Sequence, residues 1–223
     1  MPGGWVIIFD VDGVLLELTR AEEELFFQPF ASRVDTAKLS RDWNSYRIRN
    51  DEDIISEIVE RHNLPPREAR AVAAEYLALL ERQLASRALV SERIAGAEQL
   101  LAEFAPRAQL GIATANFRRA AELRLAQVGL WAPVAGLAYG ADGGGHKADI
   151  LARAIAACGA PASRVIFIGD NINDVQAGLA NGVHFIGFSE SEARRGHLAQ
   201  AGASRLAAHH GETGQLIRAL LQA

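Results

Sequence analysis

The chain has 223 residues, long enough to bury a full hydrophobic core as one domain with a large insertion or as two modest domains. Its 49% hydrophobic and 22% charged residues match ordinary globular composition, and no apolar run approaches the roughly 20 residues a membrane-spanning helix needs. A net charge of −4, with arginines scattered rather than striped, argues against nucleic acid or an anionic membrane as partner.

The first element is Val6-Ile7-Ile8-Phe9, four apolar residues that are β-branched or aromatic, read as a strand buried on both faces. It runs into Asp10-Val11-Asp12-Gly13-Val14. Alternation along an extended strand starts Asp10 and Asp12 on the same side, and Gly13 lets the backbone turn away. Like charges so close need compensation, most simply a bound cation. One aspartate alone suits a helix cap equally well; the pair at the end of a buried strand does not. No basic leader precedes this segment, so the N-terminus reads as the first strand and not as a signal peptide.

A long helical stretch follows, with expected helices over Thr19 to Arg33, Ala37 to Asn44 and Asp51 to His62. Pro65-Pro66 breaks the pattern, and Pro66 suits the start of a helix reaching about Ser86. With no strand signal between Leu15 and Ser86, residues 16–88 read as an inserted all-helical cap domain, a long helical crossover being the alternative. Residues 1–15 and 89–223 then form the core domain.

Helix and strand alternate from there on. Helices are expected over Ala95 to Phe104, Phe117 to Val128 (closed by Gly129), Lys147 to Cys158, Asp174 to Asn181, Glu192 to Ala201 and Thr213 to Leu221. Strands are expected over Gln109 to Ala113, weakly over Val134 to Ala138, then over Arg164 to Ile168 and His184 to Gly187. Such repeated units imply an α/β fold, a doubly wound, Rossmann-like, mostly parallel sheet with helices on both faces. Cys158, the single cysteine, has no intramolecular disulfide partner; it reads as a core residue in a reducing, cytoplasmic setting.

Ligands of open parallel sheets bind beyond the carboxyl ends of the strands. Asp10 and Asp12, Thr114, Lys147, and Asp170 with Asp174 all fall there. Each has a plain structural reading alone: Thr114 or Asn116 as a helix cap, Asp174 as a first-turn carboxylate, Lys147 as a surface charge. Four such groups at one sheet edge favour a common pocket. Gly140-Ala141-Asp142-Gly143-Gly144-Gly145-His146-Lys147 departs from a P-loop, because His146 precedes the lysine and Ala148 follows it; it reads as a mobile glycine loop delivering Lys147.

Together, Asp10-Val11-Asp12-Gly13-Val14, Ile112-Ala113-Thr114, Lys147 and Gly169-Asp170-Asn171-Ile172-Asn173-Asp174 resemble the four ordered motifs of the haloacid dehalogenase superfamily. The phosphoglycolate phosphatase and β-phosphoglucomutase type is nearest. The resemblance implies a Mg²⁺-dependent phosphatase acting on a small phosphorylated metabolite through an aspartyl phosphate. Asp10 would be the nucleophile and Asp12 the proton donor and acceptor. Asp10 and Asp170 would supply carboxylates to the metal, Asp12 its backbone carbonyl, and Asp174 a direct or indirect contact. Thr114, with Ala115 and Asn116 beside it, would bind the phosphate, and Lys147 would pair with nucleophile and phosphate. The superfamily's dehalogenases lack the second aspartate, since a halide leaves without a proton, so Asp12 argues for phosphate esters. Lys38, Arg41, Trp43, Arg47 and Arg49 are candidates to meet substrate from the cap. A sugar-phosphate phosphomutase, a phospho-accepting signalling protein and a non-catalytic binding protein are the alternatives, and monomer or homodimer stays open.

Overall fold

The computed structural model describes residues 4–222. Among these residues six strands form one sheet in the order β3-β2-β1-β4-β5-β6, every pairing parallel: β1 (Val6–Phe9), β2 (Gln109–Ala113), β3 (Ala138–Tyr139), β4 (Val165–Gly169), β5 (His184–Phe188) and β6 (Leu206–Ala207). The strand order reverses between β1 and β4, which sets the ligand crevice at their carboxyl ends. Alternation along β1 divides the sheet's two cores. Ile7 and Phe9 join Ile112, Ile168 and Phe188 against α4 (Ala97–Phe104), α5 (Arg118–Gln127) and α9 (His210–Gln222). Val6 and Ile8 face the other way, joining Phe167 and Phe185 against α6 (Lys147–Cys158), α7 (Ile172–Ala180) and α8 (Glu192–Gln200).

Between β1 and α4 lies the helical block, α1 (Arg20–Phe27), α2 (Asp51–Arg61) and α3 (Arg67–Ala85). Its core of Phe26, Phe27, Phe30, Ile54, Ile58, Val72, Tyr76 and Leu80 is continuous with Phe117 and Ala120, so the block rests on α5. Thr19 opens α1 through a reciprocal capping box with Glu22, and Asn50 caps α2 ahead of Asp51, Glu52 and Asp53. Among the described residues no helix is long and apolar enough to cross a membrane.

Several expected elements change. The helix expected to Arg33 ends at Phe27 and continues as a 3₁₀ turn over Gln28–Ser32, with Pro29 in its first turn. No helix forms over Ala37 to Asn44. There, Asp35 accepts from Ala37 N at 3.1 Å and Asp42 from Asn44 N at 2.9 Å, so side chains close two short 3₁₀ turns where a helix ladder would need those amides. Val134 to Ala138 is a 3₁₀ turn (Ala135–Leu137) leading into β3. A Cβ at Gly111 would lie 2.5 Å from the Leu137 carbonyl, so glycine in β2 admits that turn against the sheet. The two-residue β6 had no sequence signal of its own. Cys158 is half-buried at the end of α6 against the second sheet face, its thiol 3.1 Å from the Ile155 carbonyl.

Candidate active site

Asp10 leaves β1 with its N–H bonded to the Ile168 carbonyl at 2.9 Å, which holds it beside the end of β4. Its Oδ1 accepts from Val11 N and from Lys147 Nζ, both at 2.7 Å. The same ammonium lies 3.0 Å from Asp174 Oδ1, so one buried lysine bridges two buried carboxylates. Asp174 is fixed from its other side, where Oδ2 accepts from Asn171 N at 3.1 Å in the capping box that opens α7. Asp170 completes the group: one oxygen each from Asp10, Asp170 and Asp174 lie within 4.8 Å of one another.

Two glycines make this convergence possible. A Cβ on Gly13, at φ +74°, would lie 2.3 Å from Asp170 Oδ2, and one on Gly169 would lie 2.3 Å from the Asp174 Cβ. Both are closer than any side-chain atom tolerates, and the first also needs the left-handed region.

The electrostatics follow from burial. Desolvation pushes the Asp10 carboxyl up to about 8; Lys147 opposes this, while Asp174 and Asp170 add to it. Asp170 rises to about 7 for the same first reason, with Asp174 raising it and Arg194, 3.5 Å away, lowering it. For Lys147 burial favours the neutral amine, but Asp10 and Asp174 outweigh it and the ammonium is held above its ordinary value.

Asp12 lines the same cavity of about 400 Å³ but turns to another partner. Its Oδ1 is 2.8 Å from Nη1 of Arg124, at ion-pair distance without hydrogen-bond alignment. Arg124 is 2% exposed and also reaches Glu22 at 2.7 Å, Asn116 Oδ1 at 3.2 Å and the Glu17 carbonyl at 3.1 Å. Thr114 is buried at the end of β2, its hydroxyl accepting from Asn116 N at 3.2 Å. Neither Thr114 nor Asn116 caps α5. The Asn116 amide oxygen is taken by Arg124, and the amides that flank the helix start find Asp51 (Phe117 N, 2.7 Å) and Asp142 (Arg118 N, 2.7 Å). The Ala115 carbonyl accepts from Asp51 N at 2.9 Å. The glycine loop read as mobile is bonded at the N–H of each of Gly143, Gly144 and Gly145.

Arg49 lines the cavity, its Nη1 3.4 Å from Asn171 Oδ1 and its Nε buried without a partner among the described residues. Arg47 lies outside it, exposed and paired with Glu57 and Glu60. Trp43 reaches the wall with its indole N–H on Glu23 at 2.9 Å, Arg41 stacks on Phe27, and Lys38 faces Asp35. Sequence reading missed Asp51, Tyr76, Arg124 and Arg194, which also line the cavity. Only Arg124 had a signal, since its helical spacing from Ala120 and Ala121 places a cation on a buried face.

The acidic cluster suits a hard divalent cation. Asp174 has both oxygens engaged, whereas Asp10 and Asp170, converging with raised carboxyl pKa values, each lack an adjacent full counter-charge beyond Lys147 and Arg194.

Comparison with curated proteins finds no match. Among solved structures, CbbY from Rhodobacter sphaeroides in complex with phosphate is similar, at a TM-score of 0.72 and 21% identity over 92% of this chain and 93% of that one. A predicted phosphatase from Clostridium acetobutylicum has a TM-score of 0.69 and 18% identity over 97% and 99% of the two chains. A haloacid dehalogenase family hydrolase from Deinococcus radiodurans, with bound phosphate and sodium, has 0.60 and 23% over 99% and 97%. At these identities the likeness carries the fold. The haloacid dehalogenase-like hydrolase family matches residues 6–182, from β1 through the turn after α7, and the chain belongs to that family.

Proposed function

We propose that the protein is a Mg²⁺-dependent phosphomonoesterase that hydrolyses a small phosphorylated metabolite in the cytoplasm through an aspartyl-phosphate intermediate. The observation that carries this reading is the Lys147 ammonium set between Asp10 and Asp174, with Asp170 closing the cluster. Asp10 and Asp170 would hold the ion, with Asp174 anchoring Lys147 beside it and the Asp12 carbonyl a further ligand. The ion supplies positive charge that lets an anionic phosphoryl group approach carboxylates.

Asp10 attacks phosphorus; an Asp10 oxygen–phosphorus bond forms as the ester bond breaks, and Asp12 gives its proton to the departing alcohol oxygen. A water then attacks phosphorus while Asp12 takes a proton from it, the Asp10–phosphorus bond breaks, and inorganic phosphate leaves. Lys147 holds charge spreading over the phosphoryl oxygens, and Thr114 with the neighbouring backbone of Ala115 and Asn116 binds that group. Residues 16–88 act as the cap over a core of residues 1–15 and 89–223. Within the cap, Arg49 would meet substrate, a role supported by its side chain lining the cavity with a buried Nε that has no partner among the described residues, whereas Arg47 is exposed and paired with Glu57 and Glu60.

The test is phosphate release from a broad panel of phosphate esters, with and without Mg²⁺, together with isomerisation of sugar phosphates to detect a mutase. Asp10→Asn should reduce release by at least about 10⁴-fold while far-UV circular dichroism stays unchanged, as expected on losing a nucleophile with little change of volume. Wild-type turnover by that variant removes Asp10 from the reaction.

A further inference from the structure

Gly143, Gly144 and Gly145 stand at φ of +89°, +65° and +97°, a run with little conformational preference of its own. Its order therefore depends on what holds it. The N–H of Gly143 donates to Glu52 Oε2 at 2.5 Å and that of Gly145 to Asp53 Oδ2 at 2.9 Å, while the Gly144 N–H closes a turn on the Ala141 carbonyl at 2.7 Å and shares the same Glu52 oxygen at 3.2 Å. Asn50 Nδ2 donates to the Gly145 carbonyl at 2.7 Å. From the opposite side Arg153 of α6 reaches the carbonyls of Gly140 and Gly144, each at 3.2 Å. One clasp comes from the helical block and the other from the helix that the loop leads into. Two residues past Gly145 stands Lys147, whose ammonium bridges Asp10 and Asp174. Glu52 and Asp53 have no part in the proposed chemistry, and charge-assisted bonds to consecutive peptide N–H groups are strong and directional.

We propose that Glu52 and Asp53 are positioning residues: the first turn of α2 latches the glycine loop and thereby sets Lys147, so the cation at the acidic cluster is in register only when the helical block is seated. The consequence for turnover rests on the phosphatase reading; the latch itself does not. A reacting group misplaced by about 1 Å costs on the order of 100-fold in rate, which scales the expected effect.

The test uses the full chain with Glu52→Ala, which removes the acceptor of the Gly143 amide and the more distant of the two acceptors of Gly144, and Glu52→Gln, which keeps a carbonyl oxygen there. Amide hydrogen exchange at Gly143 should speed by about tenfold or more in the alanine variant, and acetylation of the Lys147 amine, read by mass spectrometry, should quicken in parallel. With Mg²⁺ and p-nitrophenyl phosphate, kcat should fall about 10- to 100-fold with KM within about threefold, and the glutamine variant should recover most of it. The latch is overturned if the wild-type Gly143 amide exchanges as fast as a free peptide, or if Glu52→Ala leaves both Gly143 exchange and Lys147 labelling unchanged. It is also overturned if the loss appears in KM alone. Should the wild type release no phosphate from any ester, the phosphatase reading fails while exchange and labelling still decide the latch.

Discussion

Asp10 is 8% exposed, and burial, with Lys147 opposing and Asp174 and Asp170 reinforcing, lifts its carboxyl from 3.8 to about 8. A carboxyl raised on folding contributes stability that is complete below its unfolded pKa and is lost as pH climbs through the folded value. The metal-free protein should therefore lose this contribution progressively between 3.8 and about 8, and Asp170, raised to about 7, adds to the loss in the same direction. Asp10→Asn removes the titrating group, so its melting temperature should gain on the wild type as pH rises from about 5 to about 8 and level off above that. A gap that stays constant over this range contradicts the assignment. Mg²⁺ should raise the wild-type melting temperature more at the upper end of the range, where the carboxylates it would neutralise are ionised. Gly13→Ala belongs here too: the added methyl, 2.3 Å from Asp170 Oδ2 and at a φ of +74°, forces that carboxylate away. Isothermal titration should then show Mg²⁺ affinity weakened by about tenfold or more, in the range seen when the surroundings of a metal ligand are disturbed.

Helix α5 starts on acceptors borrowed from elsewhere. The N–H of Phe117, the residue just before it, is met by Asp51 of α2 and that of Arg118, its first residue, by Asp142 of the loop after β3, both at 2.7 Å, while Asn116 beside them is turned to Arg124. The helix thus owes its N-terminus to tertiary contacts, and one of these ties it to the helical block. Asp51 is buried, and desolvation lifts its carboxyl to about 7 against the opposing Phe117 N–H. Removing the acceptor by Asp51→Ala should cost about 1–2 kcal/mol in urea unfolding, as loss of a helix cap does, whereas Asp51→Asn, which retains a carbonyl oxygen, should cost less. Equal losses from the two substitutions would mean that packing, and not the acceptor, matters at this position.

Across the whole molecule, Arg124 joins the segment after β1, through Asp12 and the Glu17 carbonyl, to α1, through Glu22, and to the turn before α5, through Asn116. Arg124 and Glu22 are 2% and 4% exposed, so neither charge has water to fall back on. Arg124→Met should destabilise the protein by about 3–5 kcal/mol, because it leaves a buried carboxylate unpaired. Adding Glu22→Gln should return part of that loss, which a double-mutant cycle from urea denaturation will measure. Additive losses would mean that the two side chains stabilise the fold independently.

Chain-local physics decided much of this protein. Buried β-branched runs such as Val6–Phe9 have few ways to hide both faces, and alternating strand and helix signals leave a parallel sheet as the simple solution, so the α/β class and the placement of Asp10, Thr114 and Asp170 at strand ends were legible in advance. Lys147 as the first residue of its helix was equally plain. Partners distant along the chain were not. Which carboxylate Lys147 bridges, that Asp12 faces Arg124, that Arg49 and not Arg47 reaches the cavity, and that α2 holds the glycine loop all depend on how the helical block docks on the sheet. Periodicity records which face of an element is buried, but hydrogen bonds and ion pairs between elements are set by their relative placement in three dimensions, which no local pattern encodes.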